Sequence, residues 1–165
     1  MTFQLTEPIL VIGLGGVGTR LAEKTKKSLN SDCLMISHDQ NDLTAENSIK
    51  ISTKSVVNPS THLIRGSTLE TSDEIKKNIT NYSTIILMSN LAGKAGTGIG
   101  PIVSKICKQE QKNLLSFAVM PFKFEKERIF QSGIALKRIR QDSQCTIVVD
   151  NDALLDSNPD LTQKQ

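Results

Sequence analysis

Residues 9–18 read ILVIGLGGVG, and this stretch decides the fold. Its first part, Ile9 to Ile12, is an apolar run typical of a buried strand, and a glycine-rich turn follows at once. Such a turn, when it opens a helix, presents free backbone N–H groups and the positive end of the helix dipole, which together favour an anion. The stretch therefore predicts a first strand of an α/β sheet that ends in a phosphate-binding turn.

A second glycine-rich turn, AGKAGTG at residues 92–98, follows another apolar run, Thr84 to Ser89. The second turn has the same setting as the first, between a strand and a helix. Two such turns predict that a chain of phosphates is held from two sides.

Short apolar runs alternate with segments of helical period along the whole chain, a rhythm typical of a parallel sheet. We predict an α/β fold: a Rossmann-like three-layer parallel sheet of about six strands with helices on both faces. The predicted strands are residues 9–12, 33–37, 49–52, 84–89, 114–119 and 145–149.

Four details of the connecting segments are also predicted. Residues 53–68 read as a polar loop, and Ser72 reads as the N-cap of a helix. Pro101 fits the first turn of the helix after the second glycine turn. Residues 125–140 read as a helix with these side chains inward: Ile129, Phe130, Ile134 and Ile139.

Composition narrows the classes of function. The 165 residues fit one domain, and the net charge of +3 comes from scattered basic residues, so no nucleic-acid platform is indicated. The three cysteines lie apart in apolar runs, which predicts buried thiols in a reducing cytoplasm. No apolar segment reaches the roughly 20 residues of a membrane span, and residues 1–8 lack the pattern of a secretory signal.

The first turn alone is compatible with a dinucleotide-binding oxidoreductase module. Its G-x-G-x-x-G pattern follows a strand, and Asp39 at the end of the second strand could accept a hydrogen bond from the ribose of NAD. The second turn argues against this alternative, because an NAD-binding domain has no need of it. A P-loop also fits poorly, since Ala95 follows Lys94 where that motif requires Ser or Thr.

Five segments in order resemble the GTPase domain of the tubulin/FtsZ superfamily, and FtsZ-like proteins more closely than tubulin. Residues 12–18 resemble the first phosphate loop, and residues 92–98 resemble the signature G-G-G-T-G-T-G. Val57-Asn58-Pro59 resembles the A-N-P of the third loop. Residues 121–128 resemble P-F-x-F-E-G-x-x-R, and residues 147–155 resemble I-x-I-P-N-D-x-L-L. The resemblance implies a GTP- or GDP-binding domain over residues 1–155, with Mg²⁺ as an optional companion, and a polar tail over residues 156–165.

The resemblance also implies which residues contact the nucleotide. Residues 15–20 would lie along the phosphates, residues 93–98 would clasp them from the other side, and Thr97 would donate a hydroxyl hydrogen bond. The full set is Gly15, Gly16, Val17, Gly18, Thr19, Arg20, Asp39, Gly93, Lys94, Ala95, Gly96, Thr97, Gly98, Glu125, Arg128 and Asn151.

Four residues of that set lie outside the two turns. Asp39 would lie near the ribose or a metal ion, Glu125 and Arg128 would approach the ribose, and Asn151 would read guanine. Two bland alternatives stay open: Glu125 and Arg128 could form only an exposed ion pair, and Asn151-Asp152 could simply cap the next helix. His38 and His62 have no acid or nucleophile at a useful spacing, so they read as polar loop residues.

Departures from the family pattern shape the expected activity. Lys94 stands where the family has Gly, Ala95 stands where it has its first Thr, and only three steps separate Glu125 from Arg128 instead of four. Lys94 could contact a phosphate, replace a cation or block the site. The chain also stops before the family's central helix and its water-activating acidic loop.

We therefore expect nucleotide binding without a catalytic residue or metal ligand in this chain, and hydrolysis only with a partner that supplies the acidic loop. Self-association or a full-length FtsZ-like protein is the expected partner. A nucleotide-independent pseudo-GTPase that acts as an interaction module is the third alternative.

Overall fold

Parallel strands form one six-stranded sheet in the computed structural model, which describes residues 5–45, 47–54 and 56–152. The elements, in chain order, are β1 (Ile9–Leu14), α1 (Gly15–Leu29), β2 (Asp32–Ser37), a short 3-10 helix (Gln40–Asp42), β3 (Ser48–Lys50), α2 (Thr61–Glu70), α3 (Ser72–Ile79), β4 (Thr84–Asn90), α4 (Lys94–Gln109), β5 (Asn113–Met120), α5 (Lys126–Asp142) and β6 (Cys145–Asp150). Their order across the sheet is β3-β2-β1-β4-β5-β6. The predicted tail at residues 156–165 lies outside the described residues.

The helices cover both faces of the sheet, as predicted. On one face, Ala22 of α1 packs with Val11 of β1. On the other face, Ile64 of α2 and Ile99 of α4 pack into the larger core, and Ile139 brings α5 beside α4. None of the helices in the described ranges is long and apolar enough to cross a membrane.

The burial of the central strands explains why the sequence predicts them correctly. All seven residues of β4 except its last are buried, as are all of β1 except its first, so these strands carry continuous apolar runs. β6 lies at the edge of the sheet, and its Ile147 is 42% exposed. The third strand was predicted at residues 49–52, whereas β3 covers Ser48–Lys50.

The predicted polar loop at residues 53–68 is wrong, because α2 begins at Thr61. Ser60 is the N-cap, and its hydroxyl accepts a hydrogen bond from a backbone N–H of the first turn at 3.2 Å. The buried face of α2 includes Ser67 and Thr68. Because small polar residues occupy part of the buried face of α2, its sequence does not show the hydrophobic period of a helix.

Helix α3 follows α2 directly, and this continuity corrects the predicted cap. Thr71 is the N-cap residue, whereas Ser72 is the first residue of α3. The Ser72 hydroxyl donates to the Leu69 carbonyl oxygen at 2.7 Å, so it closes the end of α2. Ile75 and Ile79 are fully buried, as their spacing predicted.

Helix α4 starts inside the second glycine turn, at Lys94. The prediction that Pro101 lies in its first turn is therefore wrong, since Pro101 lies in the helix interior. A proline at this position has no N–H to donate to the carbonyl four residues earlier, that of Thr97. The missing hydrogen bond lies on the buried face of the helix.

Helix α5 turns a different face to the core than its apolar residues suggest. Phe130 is 75% exposed, and Ile129 and Ile134 are also exposed, so the prediction that they point inward is wrong for all three. The buried residues are Ser132, Ala135 and Ile139. Small residues are needed here because α5 lies close to α4, where a Cβ on Gly100 would be 3.1 Å from the Ile139 Cδ1 atom.

All three cysteines are free thiols, and the prediction that they are buried is confirmed for two of them. Cys33 and Cys107 are buried, and Cys145 is half-buried. Burial raises the pKa of the Cys107 thiol to about 12 and also raises that of Cys33. Both buried thiols are therefore neutral at physiological pH and behave as small apolar side chains.

Replacing Gly18 with Ala is expected to destabilise the fold. A Cβ there would lie 2.6 Å from the Met88 carbonyl oxygen, so α1 would have to move away from β4. The expected cost is about 1–3 kcal/mol of unfolding free energy. Gly66→Ala is the matched control, because no atom lies within 4 Å of its Cβ position, and it should stabilise α2 by about 0.5–1 kcal/mol. Urea denaturation midpoints measure both, and equal midpoints for the two variants would contradict this packing.

Candidate phosphate-binding site

The two glycine turns meet at the point where the strand order reverses. β1 and β4 are neighbours in the sheet, and Leu14 lies opposite Ser89 at their carboxyl ends. A Cβ on Gly15 would lie 2.8 Å from the Cβ of Ala95. In open α/β sheets this switch point is where ligands bind.

A cavity of about 390 Å³ lies between the two turns. Its lining consists of Leu14, Gly15, Gly16, Val17, Arg20, His38, Asp42, Asn90, Gly93, Lys94, Ala95 and Gly96. The cavity is therefore lined by backbone from both turns and by four charged or titratable side chains, those of Arg20, His38, Asp42 and Lys94.

Both helices that open at this cavity lack a side-chain cap. Leu14 is the N-cap of α1 and Gly93 that of α4, and neither makes a side-chain capping bond; neither first turn contains an acidic residue. Ser60 caps α2, and Asp39 caps the 3-10 helix with a 3.0 Å bond to the Asn41 N–H, whereas α3 and α5 also begin without a side-chain capping bond but carry an acidic residue in their first turns. Uncapped first turns leave backbone N–H groups without partners. Two sets of such donors face one cavity.

Gly15 is required by its backbone as well as by its neighbour. Its φ is +69°, a left-handed conformation that side chains rarely adopt. A substitution here would strain the turn and also strike Ala95. This glycine sets how closely the two turns approach.

Eight of the residues that the sequence indicated line the cavity: Gly15, Gly16, Val17, Arg20, Gly93, Lys94, Ala95 and Gly96. The hydroxyls of Thr19 and Thr97 point into their own helices. Thr19 donates to the Gly16 carbonyl oxygen at 3.0 Å, and Thr97 donates to the Gly93 carbonyl oxygen at 3.2 Å. Both threonines are buried, so their hydroxyls stabilise the turns in this structure.

Gly18 and Gly98 lie behind the cavity and serve packing. Gly18 faces β4, as described above, and Gly98 faces α2, where its Cβ would lie 2.9 Å from the Ile64 Cγ2 atom. These glycines bring α1 against the sheet and α2 against α4. Their place in the motifs therefore reflects close contact between elements.

Glu125 and Arg128 form a linked pair at the start of α5. The Arg128 Nη1 lies 3.5 Å from the Glu125 Oε1 and donates to the Ala92 carbonyl oxygen at 2.9 Å. The Glu125 Oε2 accepts from the Phe122 N–H at 2.8 Å. The ion pair between Glu125 and Arg128, one of the two alternatives left open by the sequence, is thus present. The same two side chains also link the second glycine turn to the loop after β5.

Asn151 begins the helical turn that follows β6 and is 7% exposed. Its Nδ2 has no hydrogen-bond partner among the described residues. The adjacent Asp152 carboxylate accepts from the Lys123 N–H at 2.9 Å, which ties this turn to the loop after β5. Asn151 does not line the cavity between the two turns.

A second cavity, of about 660 Å³, adjoins the first. It is lined by His38, Asp39, Gln40, Lys50, Ser52, Thr53, Lys54, Val56, Asn58 and Pro59. Asp39 faces this second cavity rather than the first. His38 lines both, so the two cavities meet at its side chain.

Three polar residues of the cavity lining were not among the expected contact residues: His38, Asp42 and Asn90. The Asp42 Oδ2 accepts from the Ser37 hydroxyl at 2.8 Å, and its Oδ1 lies 3.0 Å from where a Cβ on Gly16 would be. The position of each follows from the ends of β2 and β4. The one sign of them in the sequence was their position close to the end of a strand, and a comparison of motifs does not use that information.

Burial lowers the pKa of His38 below its usual value of 6.5. Asp39 and Asp42 oppose this shift, and the nearby charge of Lys94 adds to it. The His38 Nδ1 is buried and has no hydrogen-bond partner among the described residues. Within the same described ranges, no group of three or more His, Cys, Asp and Glu side chains is arranged to hold a metal ion.

A doubly wound α/β sheet with two uncapped helices at its switch point defines a class of domains that bind their ligand at the carboxyl edge of the strands. The family model "Tubulin/FtsZ family, GTPase domain" matches residues 8–159. The chain belongs to this family.

Two individual relatives agree with that assignment, and a solved structure shares the fold. Cell division protein FtsZ 1 of Halobacterium salinarum is 27% identical over 167 residues, covering 93% of this chain and 41% of the relative. Cell division protein FtsZ of Aquifex aeolicus is 31% identical over 98 residues, covering 58% of this chain and 27% of the relative. The structure titled "FtsZ dimer, empty (M. jannaschii)" matches with a TM-score of 0.82 at 24% identity, over 94% of this chain and 48% of that one. This chain thus spans less than half the length of these relatives.

The lowered pKa of His38 predicts that acid destabilises the fold. The unfolded chain binds a proton near pH 6.5 and the folded chain only at lower pH, so the free energy of unfolding is highest above 6.5 and falls as pH drops through the folded pKa. His38→Gln should reduce the loss of stability between about pH 7.5 and about pH 5.5. His62→Gln, on an exposed position of α2, is the control and should leave the loss unchanged. Urea unfolding at both pH values measures it; identical losses in the wild type and His38→Gln would contradict the burial of His38.

Proposed function

We propose that this chain is a guanine-nucleotide-binding, FtsZ-like domain that belongs to a cell-division filament system. The observation that carries the proposal is the pair of uncapped helix N-termini that open onto one cavity. Family membership supports a guanine nucleotide, because the matched model describes a GTPase domain. Neither argument depends on the other.

The charges around the cavity favour a phosphate chain. Arg20 and Lys94 line it, and Asp42 is the one carboxylate among its described lining residues. The Ser37 hydroxyl donates to the Asp42 carboxylate, which partly offsets its negative charge. With two helix dipoles added, the field inside the cavity attracts an anion.

The sugar and base are proposed to extend from the cavity across the ends of β4 and β5 toward β6. Glu125, Arg128 and Asn151 lie along that edge of the sheet. The buried amide of Asn151 has an Nδ2 with no partner among the described residues, and a donor in that state is costly unless a ligand accepts from it. A guanine carbonyl oxygen is such an acceptor.

Hydrolysis is proposed to need groups beyond those described. Phosphoryl transfer requires a positioned water and stabilised charge, and Asp42 is the one carboxylate among the described lining residues. The acidic loop of a neighbouring FtsZ-like subunit would supply the missing carboxylates. Mg²⁺ would enter with the phosphates, which provide most of its ligands at such sites.

The remaining parts of the proposal concern boundaries and setting. Residues 1–155 form the nucleotide-binding domain and residues 156–165 a polar tail, in a cytoplasmic protein that self-associates or joins a longer FtsZ-like chain. The NAD-binding alternative loses its support, since the family match covers both glycine turns and Asp39 caps its own 3-10 helix. The pseudo-GTPase alternative predicts the same fold without ligand binding, which the following experiment separates.

Thermal unfolding with GTP, GDP, ATP and NADH tests the nucleotide. Guanine nucleotide at 100 times its Kd should add about 2.7 kcal/mol of stability, and ATP and NADH should add less. Arg20→Ala should weaken guanine-nucleotide binding about tenfold or more, because it removes an exposed charge that lines the cavity. Lys24→Ala, on an exposed position of α1 that does not line the cavity, is the control and should bind as the wild type does. No stabilisation by GTP or GDP would sink the proposal.

A further inference from the structure

Lys94 makes two hydrogen bonds that its place in the glycine turn does not suggest. Its Nζ donates to the Asn58 Oδ1 at 2.7 Å and to the Pro59 carbonyl oxygen at 3.0 Å. Both acceptors belong to the segment between β3 and α2, more than thirty positions away in the chain. These two hydrogen bonds therefore hold the Lys94 ammonium group against this segment, beside the start of α4.

The two acceptors are neutral, so the positive charge of Lys94 is not cancelled. Among the described residues, no carboxylate oxygen lies within 4.0 Å of the Lys94 Nζ, so Lys94 forms no ion pair with them. The ion pair that these residues do contain joins Arg128 to Glu125. An ammonium group has three N–H donors, of which Asn58 and Pro59 use two. One donor and a full charge remain for an anion.

The position of this ammonium coincides with the boundary between the two cavities. Lys94 lines the cavity between the glycine turns, whereas Asn58 and Pro59 line the adjoining one. His38 lines both, and the charge of Lys94 lowers its pKa, so the ammonium lies within electrostatic reach of the shared wall. Because α4 begins at Lys94 itself, an anion bound at this helix N-terminus would lie close to the boundary.

We propose that Lys94 binds the phosphate chain of the nucleotide and that Asn58 is its positioning residue. This inference rests on the proposed nucleotide site and adds to it a residue-level cause of phosphate affinity. The ammonium supplies a fixed positive charge that a divalent cation would otherwise have to bring. Nucleotide binding by this chain is therefore less dependent on Mg²⁺ than it is once Lys94 is removed.

Asn58 suits this positioning role because of its backbone. Its φ is +52°, a left-handed conformation that Asn tolerates better than most residues and that Gly adopts freely. Asn58→Gly thus removes the acceptor of the 2.7 Å bond while keeping the turn. Lys94→Met removes the charge while keeping most of the apolar stem.

The test is a titration of the wild type, Lys94→Met, Asn58→Gly and the double variant with GDP, in buffer containing EDTA and in buffer containing Mg²⁺. Lys94→Met should weaken GDP binding in EDTA about tenfold or more, and by a smaller factor in Mg²⁺. Asn58→Gly should weaken it about threefold, and this second effect should vanish in the Lys94→Met background. A purely structural role for Asn58 would persist in that background.

Two further measurements separate charge from shape and phosphate from base. Lys94→Arg should retain most of the affinity, and the salt dependence of binding should decrease in Lys94→Met alone. Titration with inorganic pyrophosphate probes the phosphate contact without guanine. Lys24→Met, which removes an exposed charge from α1, is the charge control and should match the wild type throughout.

Each outcome decides between the two proposals. Equal GDP affinity for the wild type and Lys94→Met, or tighter binding by the variant, overturns the role of Lys94 and leaves the nucleotide site standing. Pyrophosphate binding that depends on Lys94, with GDP no tighter than pyrophosphate, supports Lys94 and overturns the guanine assignment. A wild type that binds neither ligand overturns both.

Discussion

The structure depends on holding two helix ends of like charge side by side. The N-termini of α1 and α4 each carry a partial positive charge, and they open onto the same cavity. The parallel pairing of β1 with β4 fixes this arrangement, and the absence of a side chain at Gly15 permits the approach to Ala95. Their mutual repulsion lowers the stability of the fold, and an anion bound between them would offset that repulsion.

The loops around this edge are tied to one another by side chains. Lys94 holds the segment before α2, Arg128 holds the Ala92 carbonyl, and Asp152 holds the backbone of Lys123. Each tie joins segments that follow different strands. The rim of the site is therefore arranged before a ligand arrives, which lowers the ordering cost of binding.

Motifs and buried strands were predictable from the sequence because both are local signals. The apolar runs of β1 and β4 and the glycine turns led to the correct sheet and to most of the cavity lining. α2 was missed because Ser67 and Thr68 fill its buried face, and α5 was turned the wrong way because its closeness to α4 excludes Phe130. His38 was missed because its one signal in the sequence was its place directly after β2, and no motif includes it. Hydrophobic patterns in the sequence reveal strands that are buried in a sheet. Close contacts between helices favour small or polar residues, which produce no hydrophobic pattern.

The pairing of β1 with β4 also has a consequence for how the chain folds. Leu14 and Ser89 are 89 − 14 = 75 positions apart, so the centre of the sheet closes a long loop and is disfavoured by chain entropy until the intervening elements are in place. The cavity has no local precursor, since each half of it is an isolated turn until this closure occurs. A ligand that binds at this cavity would therefore stabilise the chain only after β1 and β4 have paired.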